Sequence, residues 1–385
     1  MSEARIEVVC QGNPREMGLA QGSGLRARIA GARRALRQLE AFRLRQPWWL
    51  PYPLFLHFAE RRAARLLGGA LAEHAPAMAE RLAGMAEGAV IRPAALHLLN
   101  AMEAAMSSVG DCTAVPPPGA CSAIAVRGRR SATGDPIIAR NFDYLPLIQP
   151  FYGVRESRPL GQFRSMDFTV APLCGTIDGV NERGLCITYN YAFTTDCGTP
   201  APPISMAIAD ALASCDTVAH AAHQIASRPR WGGGLLMLAD AAGDIASLEL
   251  SSTRSRLRRC PSGEDILFHT NAFFCPEMRE VEISPKAVFT PRAPAAIAGI
   301  RILESPELRG ARLADLLGQA DRLGPDELSA ILADHGPTKQ PDANTLCIHS
   351  PYWQTTACVQ LFPRARRMRI AYGTACSARY QDIVL

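Results

Sequence analysis

Among the twelve cysteines of the chain, Cys121 has the setting best suited to nucleophilic chemistry. It follows a stretch rich in proline and glycine and begins a segment, 121–128, that is typical of a β-strand. Cleavage of the Ala120–Cys121 bond would give residue 121 both a thiol and a free α-amino group. Their unperturbed pKa values are about 8.5 and about 8, so the amine can serve as base for the thiol without a histidine. The same thiol can first attack its own upstream carbonyl, which makes Ala120–Cys121 the predicted cleavage site.

A second polar group follows a turn at 131–135, in the segment Ala-Arg-Asn-Phe-Asp-Tyr at 139–144. If the two segments form a hairpin, Arg140 and Asp143 return beside Cys121. A carboxylate there can hold the ammonium form of the amine, and a guanidinium can bind a substrate oxygen or lower the thiol pKa. An Arg–Asp pair at a strand end is, taken alone, more often structural.

These residues give the chain a resemblance to the acyl-coenzyme A:6-aminopenicillanic acid acyltransferase family of N-terminal-nucleophile hydrolases. The family is distantly similar to bile salt hydrolases and penicillin V acylase. The ordered set of motifs that carries the resemblance comprises Cys121-Ser, Ala-Arg-Asn-Phe-Asp-Tyr, Gly179-Val-Asn-Glu-Arg-Gly-Leu and His269-Thr-Asn-Ala-Phe. Upstream, Gly12-Asn-Pro-Arg-Glu-Met-Gly, Leu82-Ala-Gly-Met-Ala-Glu-Gly and Leu98-Leu-Asn resemble the family's propeptide segments.

The resemblance implies a role for each matched residue. Cys121 is the nucleophile, its freed amine is the base, and Asp143 orients that amine. Asn190 and Asn271 donate side-chain hydrogen bonds, one or both of them to the oxyanion, and losing such a donor typically costs ~10²–10³ in rate. Arg140 matches the bile salt hydrolases better than the penicillin acyltransferase, which favours hydrolysis or a different acyl group.

Four further residues are predicted to contact substrate: Asn141, Tyr144, Leu145 and Arg309. Asn141 is also expected to support the end of the hairpin. Tyr144 and Leu145 open the segment expected to line the pocket, which runs to Ile148. Arg309 matches a late family arginine in the loosest part of the alignment.

Hydrophobic periodicity by itself predicts an α+β fold, and the resemblance implies a four-layer αββα sandwich of two antiparallel sheets between helical layers. Predicted helices are 18–39, 55–67, 70–87, 93–106, 204–214, 217–227, 309–319 and 325–334. Predicted strands are 121–128, 136–144, 168–171, 185–190, 234–240, 245–251, 266–271, 345–349, 355–362 and 367–371. Cleavage would divide the precursor into a helical α chain, 1–120, and a catalytic β chain, 121–385, that remain associated.

The composition of the chain limits the classes of molecule that it is expected to bind. The net charge of +5 is a weak bias, and the arginines of 26–45 are typical of a solvated helix face, so no nucleic acid is expected. Mean hydropathy is zero, and neither a membrane span nor a secretion signal is indicated, which predicts a cytoplasmic location. The expected substrate is a small N-acyl amide, with acyl-coenzyme A as a co-substrate if transfer is the reaction. No metal or cofactor is expected, since the cysteines lack Cys-x-x-Cys spacing.

Three alternatives remain open at this point. Cys112 is a rival start of the β chain. The chain could be an unprocessed, non-catalytic relative that binds a small acylated molecule. It could also be a Cys–His protease of unrelated fold that uses His335 or His349 as base, although the sequence places neither beside a cysteine.

Overall fold

A computed structural model of the protein describes residues 5–108, 120–196, 200–261 and 263–385, with the backbone alone between 103 and 108. Cys112 and the predicted linker after Ser108 lie outside the described residues. None of the described helices combines the length and apolar character needed to cross a bilayer.

The first part of the chain is helical, as the periodicity predicts. Its helices are α1 (Pro14–Gly24), α2 (Arg26–Ala35), α3 (Glu40–Arg43), α4 (Tyr52–His74), α5 (Pro76–Ala89) and α6 (Pro93–Ser108). Asn13 and Glu16 form a capping box around Pro14 at the first helical position, which explains the Gly-Asn-Pro-Arg-Glu motif structurally. The predicted helix 70–87 is in fact parts of two helices, because the chain breaks at Ala75 before Pro76.

Two sheets form the centre of the described structure. The first has the order β1-β4-β5-β6-β7-β8-β9-β10, and the second has the order β11-β2-β3-β12-β13-β14. The strands of the first sheet are β1 (Ile6–Gly12), β4 (Tyr152–Pro159), β5 (Ser165–Val170), β6 (Asp178–Asn181), β7 (Cys186–Ala192), β8 (Gly233–Ala239), β9 (Ile245–Leu250) and β10 (Ser255–Arg259). Those of the second are β2 (Ala120–Val126), β3 (Ile137–Tyr144), β11 (Ile266–His269), β12 (Gln354–Phe362), β13 (Arg367–Tyr372) and β14 (Gln381–Val384). Neighbouring strands are antiparallel except β1 and β4, which are parallel.

Helices cover the outer faces of both sheets. The remaining helices are α7 (Ile204–Ser214), α8 (Val218–Ser227), α9 (Pro276–Arg279), α10 (Glu304–Gln319) and α11 (Pro325–Leu332). One apolar core joins the inner faces of the sheets, a second joins the first sheet to α7 and α8, and a third joins the second sheet to α10 and α11. The predicted αββα fold is therefore confirmed. The predicted strand 345–349 is wrong: this segment is a loop with one isolated bridge, His349 to Gln354.

The β2–β3 hairpin sets the register of the site. Cys121 lies directly opposite Phe142, and Ala120 lies opposite Asp143. Because side chains alternate along a strand, Cys121 and Phe142 face the other sheet, whereas Asp143 belongs to the face that packs on the helices.

Candidate active site

Cys121 is held at both of its reactive groups. Its backbone nitrogen donates a hydrogen bond of 2.7 Å to Asn271 Oδ1, and Arg140 Nη2 lies 3.1 Å from its sulfur. The side chain is 2% exposed, and this burial raises the thiol pKa while the charge of Arg140 opposes the rise. In the uncut chain the thiol is therefore positioned but protonated and enclosed.

Arg140 bridges the two sheets. Its Nη1 lies 2.6 Å from both carboxylate oxygens of Asp178 on β6, and its Nε donates to Asn190 Oδ1 on β7 at 3.0 Å. The guanidinium also lies 4.8 Å from the ring centre of Phe142. Burial opposes the Arg140 charge, but the pairing with Asp178 outweighs it and raises the pKa of Arg140 above its ordinary value. Arg140 is thus a fixed cation that points at the sulfur.

Asp178 is a site residue that sequence reasoning missed. It is fully buried and lies directly before the Gly-Val-Asn-Glu motif that the resemblance picks out. A buried arginine needs a counter-ion, so an acidic residue beside a matched motif was the one available clue.

Asp143 lies close to the nucleophile without bonding to its nitrogen. Its Oδ1 accepts a hydrogen bond from Thr355 Oγ1, and its carbonyl oxygen lies 3.9 Å from the Cys121 sulfur. Its Oδ2 is buried and has no hydrogen-bond partner within the part of the chain that the structure describes. Burial raises the Asp143 pKa to about 7, although Arg309, the Thr355 hydroxyl and Arg140 all oppose the rise. The free carboxylate oxygen leaves one acceptor available for a new donor.

Arg309 on α10 supports the nucleophile from behind its strand. Nη1 donates to the carbonyl oxygen of Cys121 at 2.7 Å and to Ser122 Oγ at 2.8 Å, and Nη2 donates to Asn271 Oδ1 at 2.9 Å. It is fully buried, so the structure gives it a supporting position in place of the predicted contact with substrate.

Asn141 also differs from its predicted place. Its Nδ2 donates to the carbonyl oxygens of Leu332 and Leu346, at 2.8 and 2.9 Å, on the sheet face away from Cys121. The register that turns Cys121 toward the other sheet turns Asn141 away from it, so Asn141 ties the hairpin to the α11 layer and does not face the site.

The two predicted amide donors lie side by side. Asn190 Nδ2 donates to the Thr270 carbonyl at 2.9 Å, and Asn271 Nδ2 donates to the Tyr191 carbonyl at 2.8 Å. Each amide group has two N–H donors, so one remains on each side chain for another acceptor. Asn271 comes from the loop after β11 and Asn190 from β7, and only the fold brings them together.

Tyr144 and Leu145 line an apolar cavity of about 70 Å³ beyond the end of β3. Its wall also includes Ile148 from the predicted pocket segment, together with Ala35 of α2 and Leu99 of α6. Tyr144 stacks on Phe142, at 4.9 Å between ring centres, and Phe142 is the strand partner of Cys121. Tyr144 and Phe142 thus link the cavity to Cys121, and the cavity is partly built by helices of the predicted α chain.

Two histidines have surroundings that the sequence did not predict. His335 and His349 group with Cys347 and Cys376, so the expectation that neither lies near a cysteine is wrong. These cysteines are not the predicted nucleophile.

Two facing sheets covered by helices are the architecture of the N-terminal-nucleophile class of hydrolases and acyltransferases, and the fold of this chain matches it. The family model of acyl-coenzyme A:6-aminopenicillanic acid acyl-transferase matches residues 130–340, and the chain belongs to this family. Membership confirms the predicted family and the prediction of an enzyme. The match begins after Cys121, so the assignment of that residue depends on the geometry of the site.

Solved structures with similar folds include a Caenorhabditis elegans ortholog of N-acylethanolamine-hydrolyzing acid amidase, at 13% identity and a TM-score of 0.43, covering 69% of this chain and 100% of that one. A variant of the conjugated bile acid hydrolase of Clostridium perfringens has 11% identity and a TM-score of 0.40, with 69% and 97% covered. Penicillin V acylase of Agrobacterium tumefaciens has 14% identity and a TM-score of 0.35, with 69% and 86% covered. No curated protein sequence matches the chain.

Proposed function

We propose that the chain is a self-processing cysteine amidohydrolase or acyltransferase that cleaves linear amide C–N bonds through a thioester at Cys121. The proposal rests on two contacts of Cys121, one at its sulfur and one at its backbone nitrogen. Arg140 lies 3.1 Å from the Cys121 sulfur, and Asn271 accepts a hydrogen bond from the nitrogen of the same residue at 2.7 Å. A structural buried cysteine needs neither partner.

Processing begins at the bond before the nucleophile. The Cys121 thiol attacks the carbonyl carbon of Ala120, the C–N bond breaks, and the acyl group moves from nitrogen to sulfur. Water then hydrolyses this thioester, which leaves a carboxylate on Ala120 and a free thiol and amine on Cys121. The uncut chain is thus a zymogen whose own nucleophile releases it.

Turnover uses the same atoms. The freed amine takes the thiol proton, the thiolate attacks the amide carbonyl of the substrate, and the proton passes to the departing amine. Water, or a second amine, then accepts the acyl group from the thioester. Arg140 favours the thiolate by its charge, and the role that we propose for Asp143 is to accept a hydrogen bond from the new ammonium group.

The oxyanion of each tetrahedral intermediate needs fixed donors. The remaining N–H groups of Asn190 and Asn271 are suited to this role, because their other N–H groups are already bonded to backbone carbonyls and hold the side chains in place. We propose that one or both of these amides bind the oxyanion.

The apolar lining of the cavity at Tyr144 and Leu145 favours a substrate with an apolar acyl group. The substrate that we propose is a small N-acyl amide, with acyl-coenzyme A as donor if transfer is the physiological reaction. The proposed partner of the catalytic chain is its own α chain, 1–120, and the location that we propose is cytoplasmic.

The experiment is a search for the acyl-enzyme. Purified protein is incubated with a panel of N-acyl amides, quenched in acid and digested, and the mass of the peptide that contains residue 121 is measured. We expect the mass of one acyl group on the wild-type peptide and none after Cys121→Ala. Cys186→Ala is the matched control, since Cys186 is equally buried but lies on the first sheet, opposite Ala239 of β8.

The outcomes separate the alternatives. Acyl transfer to an added amine in the presence of acyl-coenzyme A, with little hydrolysis, would assign a transferase. An uncut, unreactive chain that binds N-acyl amides would favour the non-catalytic alternative and contradict the proposal. Activity that survives Cys121→Ala would also contradict it.

A further inference from the structure

Two histidines and two cysteines meet at one end of the second sheet. His335 follows α11, Cys347 and His349 lie in the loop before β12, and Cys376 lies in the 3-10 turn Ala375–Ser377 after β13. One nitrogen or sulfur atom from each of the four side chains lies within 4.8 Å of all the others. Three separate segments of chain therefore direct donor atoms at one point.

The spacing fits a tetrahedral metal site. His349 Nε2 lies 3.3 Å from Cys347 Sγ and 3.5 Å from Cys376 Sγ. Tetrahedral zinc has Zn–S bonds of about 2.3 Å and Zn–N bonds of about 2.0 Å, which places neighbouring sulfur and nitrogen ligands about 3.5 Å apart. His335 Nε2 is a buried ring nitrogen without a hydrogen-bond partner among the described residues. Buried polar atoms usually have a partner, and a bound metal ion would provide one here.

The loop that carries these ligands is well supported. The Asp334 carbonyl accepts from Cys347 N at 3.2 Å, and the Asp334 carboxylate pairs with Arg312 at 2.8 Å and accepts from Gly336 N at 2.8 Å. His349 N donates to the Asp342 carbonyl at 3.0 Å. Backbone bonds thus hold the ligands in place before any ion is bound, which lowers the entropy cost of binding.

We propose that His335, Cys347, His349 and Cys376 bind one zinc ion as a closed, four-ligand structural site. Two thiolates and two imidazoles suit zinc, and four protein ligands leave no open position for a substrate. The proposal departs from the sequence-based expectation of no metal. That expectation was based on the absence of Cys-x-x-Cys spacing. Here the fold brings together ligands that are distant in sequence, since Cys376 lies far along the chain from Cys347.

The site would fix a residue that touches the catalytic centre. Ile348, between two ligands, donates from its nitrogen to Thr355 Oγ1 at 2.9 Å and accepts from Thr355 N at 3.0 Å. Thr355 Oγ1 in turn donates to Asp143. A bound ion would clamp the 335–349 loop to the 375–377 turn and so hold Thr355 against Asp143.

The test is metal loading of the full-length protein. The protein is stripped with a chelator under reducing conditions and titrated with Co²⁺, which reports tetrahedral thiolate ligation through its visible bands and its sulfur-to-metal charge transfer. We expect about one cobalt per chain, displaced by zinc, with a higher melting temperature for the loaded protein. No tetrahedral band in the wild-type protein would overturn the proposal.

Variants identify the ligands. Cys347→Ser and Cys376→Ser should each weaken cobalt binding at least tenfold, whereas Cys260→Ser, a half-buried cysteine outside the group, should leave it unchanged. Unchanged binding in both ligand variants, or a Cys347–Cys376 disulfide in place of the metal, would overturn the proposal. Cys121→Ala should bind cobalt normally, so failure of the catalytic proposal and failure of the metal proposal are distinguishable.

Discussion

At the scale of single residues, the ion pair between Arg140 and Asp178 is the most consequential contact outside Cys121. Both side chains are buried, at 1% and 0% exposure, and they join the two sheets. Removing one partner of such a pair leaves an uncompensated buried charge and costs about 3–5 kcal/mol. We expect Asp178→Asn to lower the free energy of unfolding by about this amount, as measured by urea denaturation.

The matched control for this prediction is Asp135→Asn. Asp135 pairs with Arg364 at the surface, where exposed ion pairs contribute about 0–1 kcal/mol. If Asp178→Asn proved no more destabilising than Asp135→Asn, the Arg140 charge would not depend on Asp178 as argued.

Asp143 gives the uncut chain a pH-dependent stability. Burial raises its pKa to about 7 from an ordinary value of 3.8, so between these pH values the folded state holds a proton that the unfolded state has lost. Stability from this group is therefore lost as pH rises through the window, by up to about 1.4 kcal/mol per pH unit. We expect Cys121→Ala to lose more stability from about pH 5 to about pH 7 than Cys121→Ala/Asp143→Asn. Parallel urea-denaturation profiles for the two proteins would be the contrary result.

Individual residues also mark how far the sequence could predict the site. Cys121, Arg140 and Asp143 were predictable from a hairpin pattern, because their adjacency is local. Asn190 and Asn271 became candidates only through the family resemblance, since no local pattern brings β7 and the loop after β11 together. The only clue to Asp178 was its place beside a matched motif, because its partner Arg140 lies on the other sheet.

At the scale of elements, α1 and α5 pack with their backbones in contact. A Cβ atom on Gly84 would lie 2.0 Å from the Arg15 carbonyl oxygen, and one on Gly18 would lie 2.0 Å from the Arg81 carbonyl oxygen. Both glycines belong to the motifs that resemble the family's propeptide. The two motifs are therefore explained as a close helix–helix contact.

This contact predicts opposite effects for two identical substitutions. Gly84→Ala should destabilise the protein by about 1–3 kcal/mol, because backbone cannot move away as a side chain can. Gly69→Ala on α4 meets nothing within 4 Å and should stabilise by up to about 1 kcal/mol, since alanine is the better helix former. Thermal or urea unfolding of both variants measures the two changes in stability. If both substitutions changed stability by a similar amount, the close contact between α1 and α5 would be contradicted.

Elements with a clear apolar period were predicted well, and those without one were not. Helix α6 and the apolar strands β2, β3, β8 and β12 follow their patterns, whereas the predicted helix 18–39 is divided at Leu25 into α1 and α2. Strand β4 was missed because it carries the charged residues Arg155 and Glu156, which are nevertheless buried. Arg155 is paired with Asp167 on β5, a partner that no local pattern indicates. Strand β1 was missed as well, and it pairs in parallel with β4.

At the scale of the whole molecule, the first segment is built into the rest. Besides the β1–β4 pairing, Gln21 Nε2 donates to the Leu173 carbonyl at 2.8 Å, and Asn100 Nδ2 donates to the Pro172 carbonyl at 2.8 Å. Asn100 Oδ1 also accepts from Cys174 N at 3.0 Å. A chain cut before Cys121 would keep every one of these contacts.

We therefore expect the two fragments to stay together after cleavage. They should elute as one species in size-exclusion chromatography under native conditions and separate only in denaturant. Elution of a free 1–120 fragment from native, active protein would show that the α chain is dispensable and that the shared core does not hold it.

The central claim is that residue 121 carries a thiol and a primary amine at a newly made chain start. Intact mass spectrometry with N-terminal sequencing of freshly purified protein tests it most directly. The account predicts two fragments, 1–120 and 121–385, for the wild-type protein and a single uncut chain for Cys121→Ala. Wild-type protein that turns over amides while residues 120 and 121 remain joined would contradict it.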